Sequence, residues 1–498
     1  LQTTDTCSDT PISNYLPEFN VEKDPDITRC ATLIDILSHR TGANDESALF
    51  VGPNGIPWSN SRKDMLSIVR SLEAVPGRFR KVWAYNSVLY ALVTCIIEDI
   101  SGMKFGDFLS QRLFQPLGMH STSLIGTGGS QAEPDVSYSR AYSAVRSGDI
   151  IERTSALGAY QFPCDASMGV RSSASDMGKW SRAVMKACKQ VHTDVEHEDA
   201  GLCSPLREMA TILTPWSDLP ANAGGHPSYC LGWFMMHGQY IYDDIFDMEA
   251  ATGSFNDLGW PCTLPVLSGS EPTRKILYHS GAGHGSASSL HIYPIEQDAV
   301  VVLGNSSESG DAVDAVAKLL NAVLCGHSLS ETTLLKNTQC FAAMELRRWE
   351  AIRDDLLDQR KKQVQGRPAD VHAIIGCYEH RLGSRSLRIT IQKDASGTNG
   401  AMEGIGSCIG AIVQFGTVTE FGLPIQDFCE NTVCFLPAEQ KFQSLGMSYM
   451  IHWAQYLLHL QCSHNSRTTT GLWWQHDPEQ DGIFFAKVGG TQVRHQGH

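Results

Sequence analysis

Apolar positions recur at helical spacing in several stretches of the chain's first third. Over 32–42, Leu33, Ile36 and Leu37 share one face and Gly42 supplies a stop, which predicts a helix with a glycine cap. Over 61–73, Met65, Ile68, Val69 and Leu72 form one stripe. Residues 87–102 are apolar around most of the circumference, so a buried helix ending at Gly102 is expected. A shorter helix over 104–119 breaks before Pro116. Residues 1–20 show no such period and read as irregular surface chain. The stretch 120–275 is rich in Gly, Ser and Pro, with one clear helix at 173–188 carrying Asp176 in its first turn.

The pattern then changes to short apolar runs. Residues 229–236, 275–279, 288–294 and 299–305 read as strands joined by short turns, as in an antiparallel sheet. A helix over 311–325 is expected to pack back on that sheet. Residues 331–364 form a charged amphipathic helix whose Arg360-Lys361-Lys362 run reads as a solvated face. Beyond Gly366 and Pro368, the runs 386–392, 410–416, 432–438, 471–477 and 482–488 predict a β-rich segment. The fold class expected is α+β, with one domain over 1–327, a helical linker over 328–366 and a β-rich domain over 367–498.

Composition narrows the function. The 498 residues are 42% hydrophobic, enough for more than one core, and the net charge of −15 argues against general binding to nucleic acid or to an anionic membrane. No apolar run approaches the length of a membrane span. The 15 cysteines are scattered without a Cys-x-x-Cys pair and sit in apolar surroundings, which fits unpaired core thiols and favours a reducing, cytoplasmic setting, although the compartment stays open.

Candidate chemistry is sparse when each motif is taken alone. No Gly-x-Ser-x-Gly elbow occurs. One literal Ser-x-x-Lys occurs, Ser101 to Lys104, but there the serine ends a helix and Gly102 breaks it, so it reads as turn chemistry. Tyr85 stands just before the buried helix, with Ser87 two positions on. That placement suits a phenol acting as a base, or simply a packing tyrosine. The stretch 278–285, Tyr-His-Ser-Gly-Ala-Gly-His-Gly, reads as a hairpin, and His279 with His284 has no further ligand cluster, so neither metal nor cofactor is expected.

Six segments in order change this picture. "NYLPEF" (14–19), "ITRCATLIDILSHRTG" (27–42), "AYNSVLYALVTCIIEDISGMKFGDFLSQRLFQPLGM" (84–119), "SMGVRSSASDMGKW" (167–180), "YCLGWF" (229–234) and "YHSGAGHGSASSLHIYPIEQDAVVVLGNSS" (278–307) together resemble the serine β-lactamase and penicillin-binding-protein-like superfamily. The similarity is to its branch of class C-like enzymes, esterases and fungal acyltransferases. The segment 367–498 is similar to the extra β-domain of longer members.

The resemblance implies a serine hydrolase or acyltransferase acting on an ester or amide of a small molecule, in the setting of fungal secondary metabolism. It implies that Tyr85 shares proton transfer with a Ser-x-x-Lys lysine and that Ser87 stands where the family carries asparagine. His279, Ser280 and Gly281 would line the acyl pocket in place of Lys-Thr-Gly, and the Ala282 N–H would be an oxyanion donor. An imidazole in place of a permanent ammonium points to substrates without the carboxylate of β-lactam antibiotics. The family's Ser-x-x-Lys precedes the segment matched by 14–19, and the 14 residues before Tyr15 contain none. The expectation is therefore that the chain is truncated before its nucleophile. The alternative is an inactive, pseudoenzyme-like binding module. Oligomeric state stays open.

Overall fold

The computed structural model describes residues 9–44, 62–124, 138–144, 149–152, 165–192, 205–219, 227–238, 274–283, 285–307, 312–324, 326, 331–363, 369–382, 385–394, 402, 404–416, 422–445, 450, 452–463, 468–478 and 481–488. They divide into two compact units. The first holds Leu1–Glu46, Ile68–Tyr142 and Ser155–Ala343; the second holds Ser47–Ser67, Ser143–Thr154 and Met344–His498.

In the first unit, α1 (Ile12–Tyr15) already departs from the sequence expectation. Ile12, Leu16 and Phe19 are buried, on two successive turns closed by Leu16 N–H donating to the Ile12 carbonyl and Phe19 N–H donating to the Leu16 carbonyl. Helix α2 (Pro25–Cys30) begins with the Asp24 cap and a proline at its first position. Helix α3 (Leu33–Leu37) begins with a reciprocal capping box between Thr32 and Asp35. It stops well before the expected Gly42, because His39 takes a left-handed conformation with φ 55°. Helix α4 (Arg62–Ser71) is divided between the units, its residues from Ile68 onward belonging to the first. Helix α5 (Ser87–Ser101) is capped by Asn86, whose side chain accepts from the Leu89 N–H, and ends at Gly102 with φ 66°. Helix α6 (Phe105–Leu109) continues into a wider turn over Ser110–Phe114. Helix α7 (Ala174–His192) is fixed at its start by Asp176, which accepts from Ser121 N–H, Thr122 Oγ1 and Lys179 Nζ.

The sheet of this unit contains β1 (Ser217–Asp218), β2 (Ser228–Tyr229), β3 (Phe234–Gly238), β4 (Arg274–Gly283), β5 (Ser286–Tyr293) and β6 (Asp298–Gly304). The spatial order is β6-β5-β4-β3-β2-β1, all antiparallel. The single strand expected over 229–236 is two strands joined through Gly232, whose φ of 77° turns the chain. Alternation along the strands serves two faces. Met235, Leu277, Leu290 and Ile292 pack with Val184, Met185 and Cys188 of α7. Met236, Ile276 and Tyr293 pack with Ala322 of α8 (Ala312–Leu324) on the other face. Helices thus cover both faces, as the expected closing helix required.

Helix α9 (Glu331–Lys362) occupies most of the stretch 328–366, and the division between the two units falls within it, at Ala343 and Met344. In the second unit the β-rich segment is a closed barrel of β7 (Gly376–Leu382), β8 (Arg385–Lys393), β9 (Cys408–Phe415), β10 (Leu423–Cys429), β11 (Thr432–Cys434), β12 (Leu457–Cys462), β13 (Thr469–Trp474) and β14 (Ile483–Val488). Neighbours in sequence are neighbours in space, and β14 pairs back on β7. Closure leaves no open strand edge. Tyr378, Phe415, Phe435, Tyr456, Trp474 and Phe485 are all buried. Arg360 is not simply solvated: its Nε donates to the Phe428 carbonyl at 2.9 Å and docks α9 on the barrel.

Candidate active site

Tyr85 is the last but one residue before α5, and the residues around it are held tightly. Ala84 N–H donates to the His39 carbonyl at 2.8 Å. Asn86 is fixed three times: its N–H donates to His39 Nδ1 at 3.1 Å, its Oδ1 accepts from Leu89 N–H at 2.7 Å, and its Nδ2 donates to the Asn44 carbonyl at 2.7 Å. Ser87 is the first residue of α5 and is half-buried. The segment leading to Tyr85 is anchored to α3 by charge. Arg80 Nε and Nη2 donate to the two Asp35 oxygens at 2.9 and 2.8 Å, and Arg40 Nε donates to Oδ1 at 2.6 Å. Burial pushes the Asp35 carboxyl up, but hydrogen bonds from Arg80 and Thr32 and the charge of Arg40 outweigh it and hold the group below its ordinary range.

His279, Ser280, Gly281 and Ala282 lie on β4. Strand β3 pairs only with Arg274 to Tyr278, so residues 279 to 283 overhang its end while still pairing with β5. Gly281 and Ala282 are exposed there. His279 is the first residue beyond the last one paired with β3, and its ring meets Phe234 and Tyr229. Its ring centroid is 6.4 Å from that of Tyr85. Two motifs from distant parts of the chain therefore meet in one aromatic cluster. His284 falls outside the described residues.

The sequence reading left open whether His279 is neutral or protonated, and the contacts favour neutral. Its Nδ1 lies 2.6 Å from the Ser280 carbonyl, which can only accept, so Nδ1 carries the proton. Nε2 then accepts from Tyr229 Oη at 3.2 Å. Burial lowers the imidazole pKa, and burial raises that of the Tyr229 phenol well above its ordinary value, so the pair stays uncharged. Both ring nitrogens are thus engaged within the protein, and what His279 presents to a ligand is its ring rather than a free donor. Among the described residues no group of three or more His, Cys, Asp or Glu side chains is placed to hold a metal ion.

Sequence reasoning missed three neighbours. The His39 ring lies 4.2 Å from Tyr85 and 5.0 Å from Tyr229, centroid to centroid. Trp83 lies 6.2 Å from Tyr85, and Phe234 lies 5.4 Å from His279. The signals were present in "SHRTG", "WAYN" and "YCLGWF", but only as polar or aromatic residues at element ends. Ser101 and Lys104 are far from this cluster. Fourteen residues of helix separate Ser87 from Ser101, about 21 Å at helical rise. Ser101 Oγ donates back to the Ile97 carbonyl at 2.6 Å, and the exposed Lys104 pairs with Glu98 at 3.5 Å.

Comparison with known proteins places the chain in a family. The family model described as Beta-lactamase matches residues 8–323. The chain belongs to that family. It is 22% identical over 310 residues to the unguisins hydrolase ungD of Aspergillus violaceofuscus, covering 60% of this chain and 47% of that protein. It is also 22% identical over 309 residues to a penicillin-binding protein of Bacillus subtilis, covering 59% of this chain and 56% of that protein. The chain thus spans about half the length of these curated relatives. Among solved structures, the octameric penicillin-binding protein homologue from Pyrococcus abyssi aligns with 96% of this chain and 82% of its own at 15% identity and a TM-score of 0.46.

Proposed function

We propose that this chain carries the greater part of a serine acyl-transfer site that hydrolyses or transfers an ester or amide of an uncharged small molecule. The observation that carries the reading is the meeting of Tyr85 with the overhanging strand at His279. In it Tyr85 moves a proton between nucleophile and leaving group, Ser87 contacts the substrate beside it, and His279, Ser280 and Gly281 line the acyl pocket. The Ala282 N–H faces the developing oxyanion. An uncharged wall of rings offers no permanent partner to a carboxylate, which supports a neutral acyl group. The nucleophile is assigned to a Ser-x-x-Lys serine other than Ser101, since Ser101 and Lys104 are spent on their own helix and on Glu98. Similarity to a fungal hydrolase supports a role in secondary metabolism.

A second reading, a binding module with no chemistry, is favoured by the engagement of both His279 nitrogens. A fluorophosphonate probe and a p-nitrophenyl ester separate the two. The 498-residue chain is expected to stay unlabelled, and labelling at any of its serines overturns the assignment of the nucleophile. A longer form of the protein that carries such a Ser-x-x-Lys is expected to label and turn over. Tyr85→Phe should then reduce turnover by about a hundredfold, the usual scale of general acid–base work. Unchanged turnover removes Tyr85 from the mechanism.

A further inference from the structure

We propose that His39 is the positioning residue for Tyr85, holding the phenol in one orientation through an imidazole acceptor that clamps the backbone beside it. The proposal deepens the acyl-transfer reading and rests on it for the role of Tyr85. Three observations carry it.

First, one residue grips both neighbours of Tyr85. The His39 carbonyl accepts from Ala84 N–H, and the His39 ring nitrogen Nδ1 accepts from Asn86 N–H. Tyr85 is the residue between them, so its backbone has little freedom to rotate. Second, the grip requires an unusual backbone. His39 has φ 55°, a left-handed conformation that a residue with a Cβ adopts at a cost. That turn ends α3 and lets the ring and the carbonyl of the same residue reach the same short segment. Third, the side chain is buried with one nitrogen bare. His39 is 2% exposed, and its Nε2 has no hydrogen-bond partner among the described residues. Since Nδ1 accepts a backbone N–H, the proton sits on Nε2 as an unpaired buried donor. Packing alone would be better served by a phenyl ring, which leaves nothing unpaired. What a phenyl ring lacks is the acceptor that Asn86 N–H uses.

The ring also stands between Tyr85, at 4.2 Å, and Tyr90, at 5.5 Å between centroids. Tyr90 lies on α5 and Tyr85 just before it, so the imidazole both wedges and clamps the mouth of that helix.

The test separates the acceptor from the ring. Asparagine places its oxygen near the position of Nδ1 and tolerates a left-handed backbone; glutamine reaches towards Nε2 instead. The full chain is labelled with 3-fluorotyrosine, and the Tyr85 signal is assigned by its loss in Tyr85→Phe. Its chemical shift changes in any variant that removes the imidazole ring current, so the readout is the number and width of the lines. The native protein and His39→Asn are expected to give one narrow set of lines from Tyr85. His39→Gln is expected to give a broadened or split set, and so is His39→Ala if it folds. Equal behaviour of the two amide variants, both narrow or both broadened, overturns the proposal, as does broadening in His39→Asn alone. The turnover of Tyr85→Phe tests the function of Tyr85 and the lines test its positioning, so failure of one does not force failure of the other.

Discussion

The neutrality of His39 makes a quantitative prediction about stability in acid. Burial, with a smaller contribution from the nearby His279, lowers the His39 pKa to about 3. The rings packed around it are Tyr85, Tyr90, Tyr229 and Trp83, and His279 is near enough to act on it by charge. Burial raises Tyr90 to about 12 and Tyr229 well above its ordinary value, so neither phenol titrates near neutrality. In the unfolded chain the imidazole returns to about 6.5. Between those values the unfolded chain binds a proton that the folded chain refuses, so stability is full above pH 6.5 and falls as pH drops towards 3. From pH 7 to pH 5 the unfolded state gains about 1.5 pK units of protonation, or about 2 kcal/mol lost from this one side chain. His279 adds to the loss in the same direction, since burial lowers its pKa too.

His39→Asn removes the titrating group. Urea unfolding of both proteins at pH 7 and pH 5, followed by tryptophan fluorescence, isolates it. Carboxyls and imidazoles that do not interact with His39 enter both proteins alike and cancel in the difference, leaving its small coupling to His279 as the remainder. The variant should lose about 2 kcal/mol less than the native protein between the two pH values, whatever its starting stability. If the two lose equal amounts, His39 is not a buried neutral imidazole and the clamp argument fails with it.

Other perturbations have defined outcomes. Tyr229→Phe leaves His279 Nε2 without its donor in a buried setting, so unfolding should show a loss of about 1–3 kcal/mol; no loss would mean the contact is not made. Asp35→Ala strips the buried acceptor from Arg80 and Arg40. Because Arg80 is 44% exposed and can turn to water, the expected loss is about 3 kcal/mol, at the lower end for a broken buried pair. Gly232→Ala meets Tyr90 Oη at 2.8 Å in a left-handed backbone and should cost about 1–2 kcal/mol by the same measurement. Ser101→Ala, at the far end of α5, should shift stability by no more than about 0.5 kcal/mol.

The hydrophobic pattern by itself determined most helices and the sheet strands of the first unit, because one-sided burial writes a period into the sequence. Met65, Ile68 and Val69 on α4 are legible in that way, while α5 and the Ile276–Leu277 pair of β4, buried on more than one side, are legible as continuous apolar runs. The order of motifs determined the family, and with it the pairing of Tyr85 with the 279–282 segment as an expectation. The pattern failed where burial was carried by few residues or by mixed ones. Ile12, Leu16 and Phe19 were too short a run to signal a buried face. In the barrel, β7, β10 and β12 were not anticipated. "LPIQDFC" and "LLHLQC" interrupt apolar residues with polar ones, and in β10 the buried Gln426 is bonded to the backbone of Met402.

Only the tertiary structure decided the electrostatics of the cluster. A sequence shows two histidines and several tyrosines. Which ring nitrogen carries a proton depends on whether a carbonyl or an N–H faces it. For His279 that is the Ser280 carbonyl, and for His39 it is the Asn86 N–H, 47 positions away in the chain. Hydrogen bonds of that kind depend on distances of a fraction of an ångström between distant segments, and no local period records them.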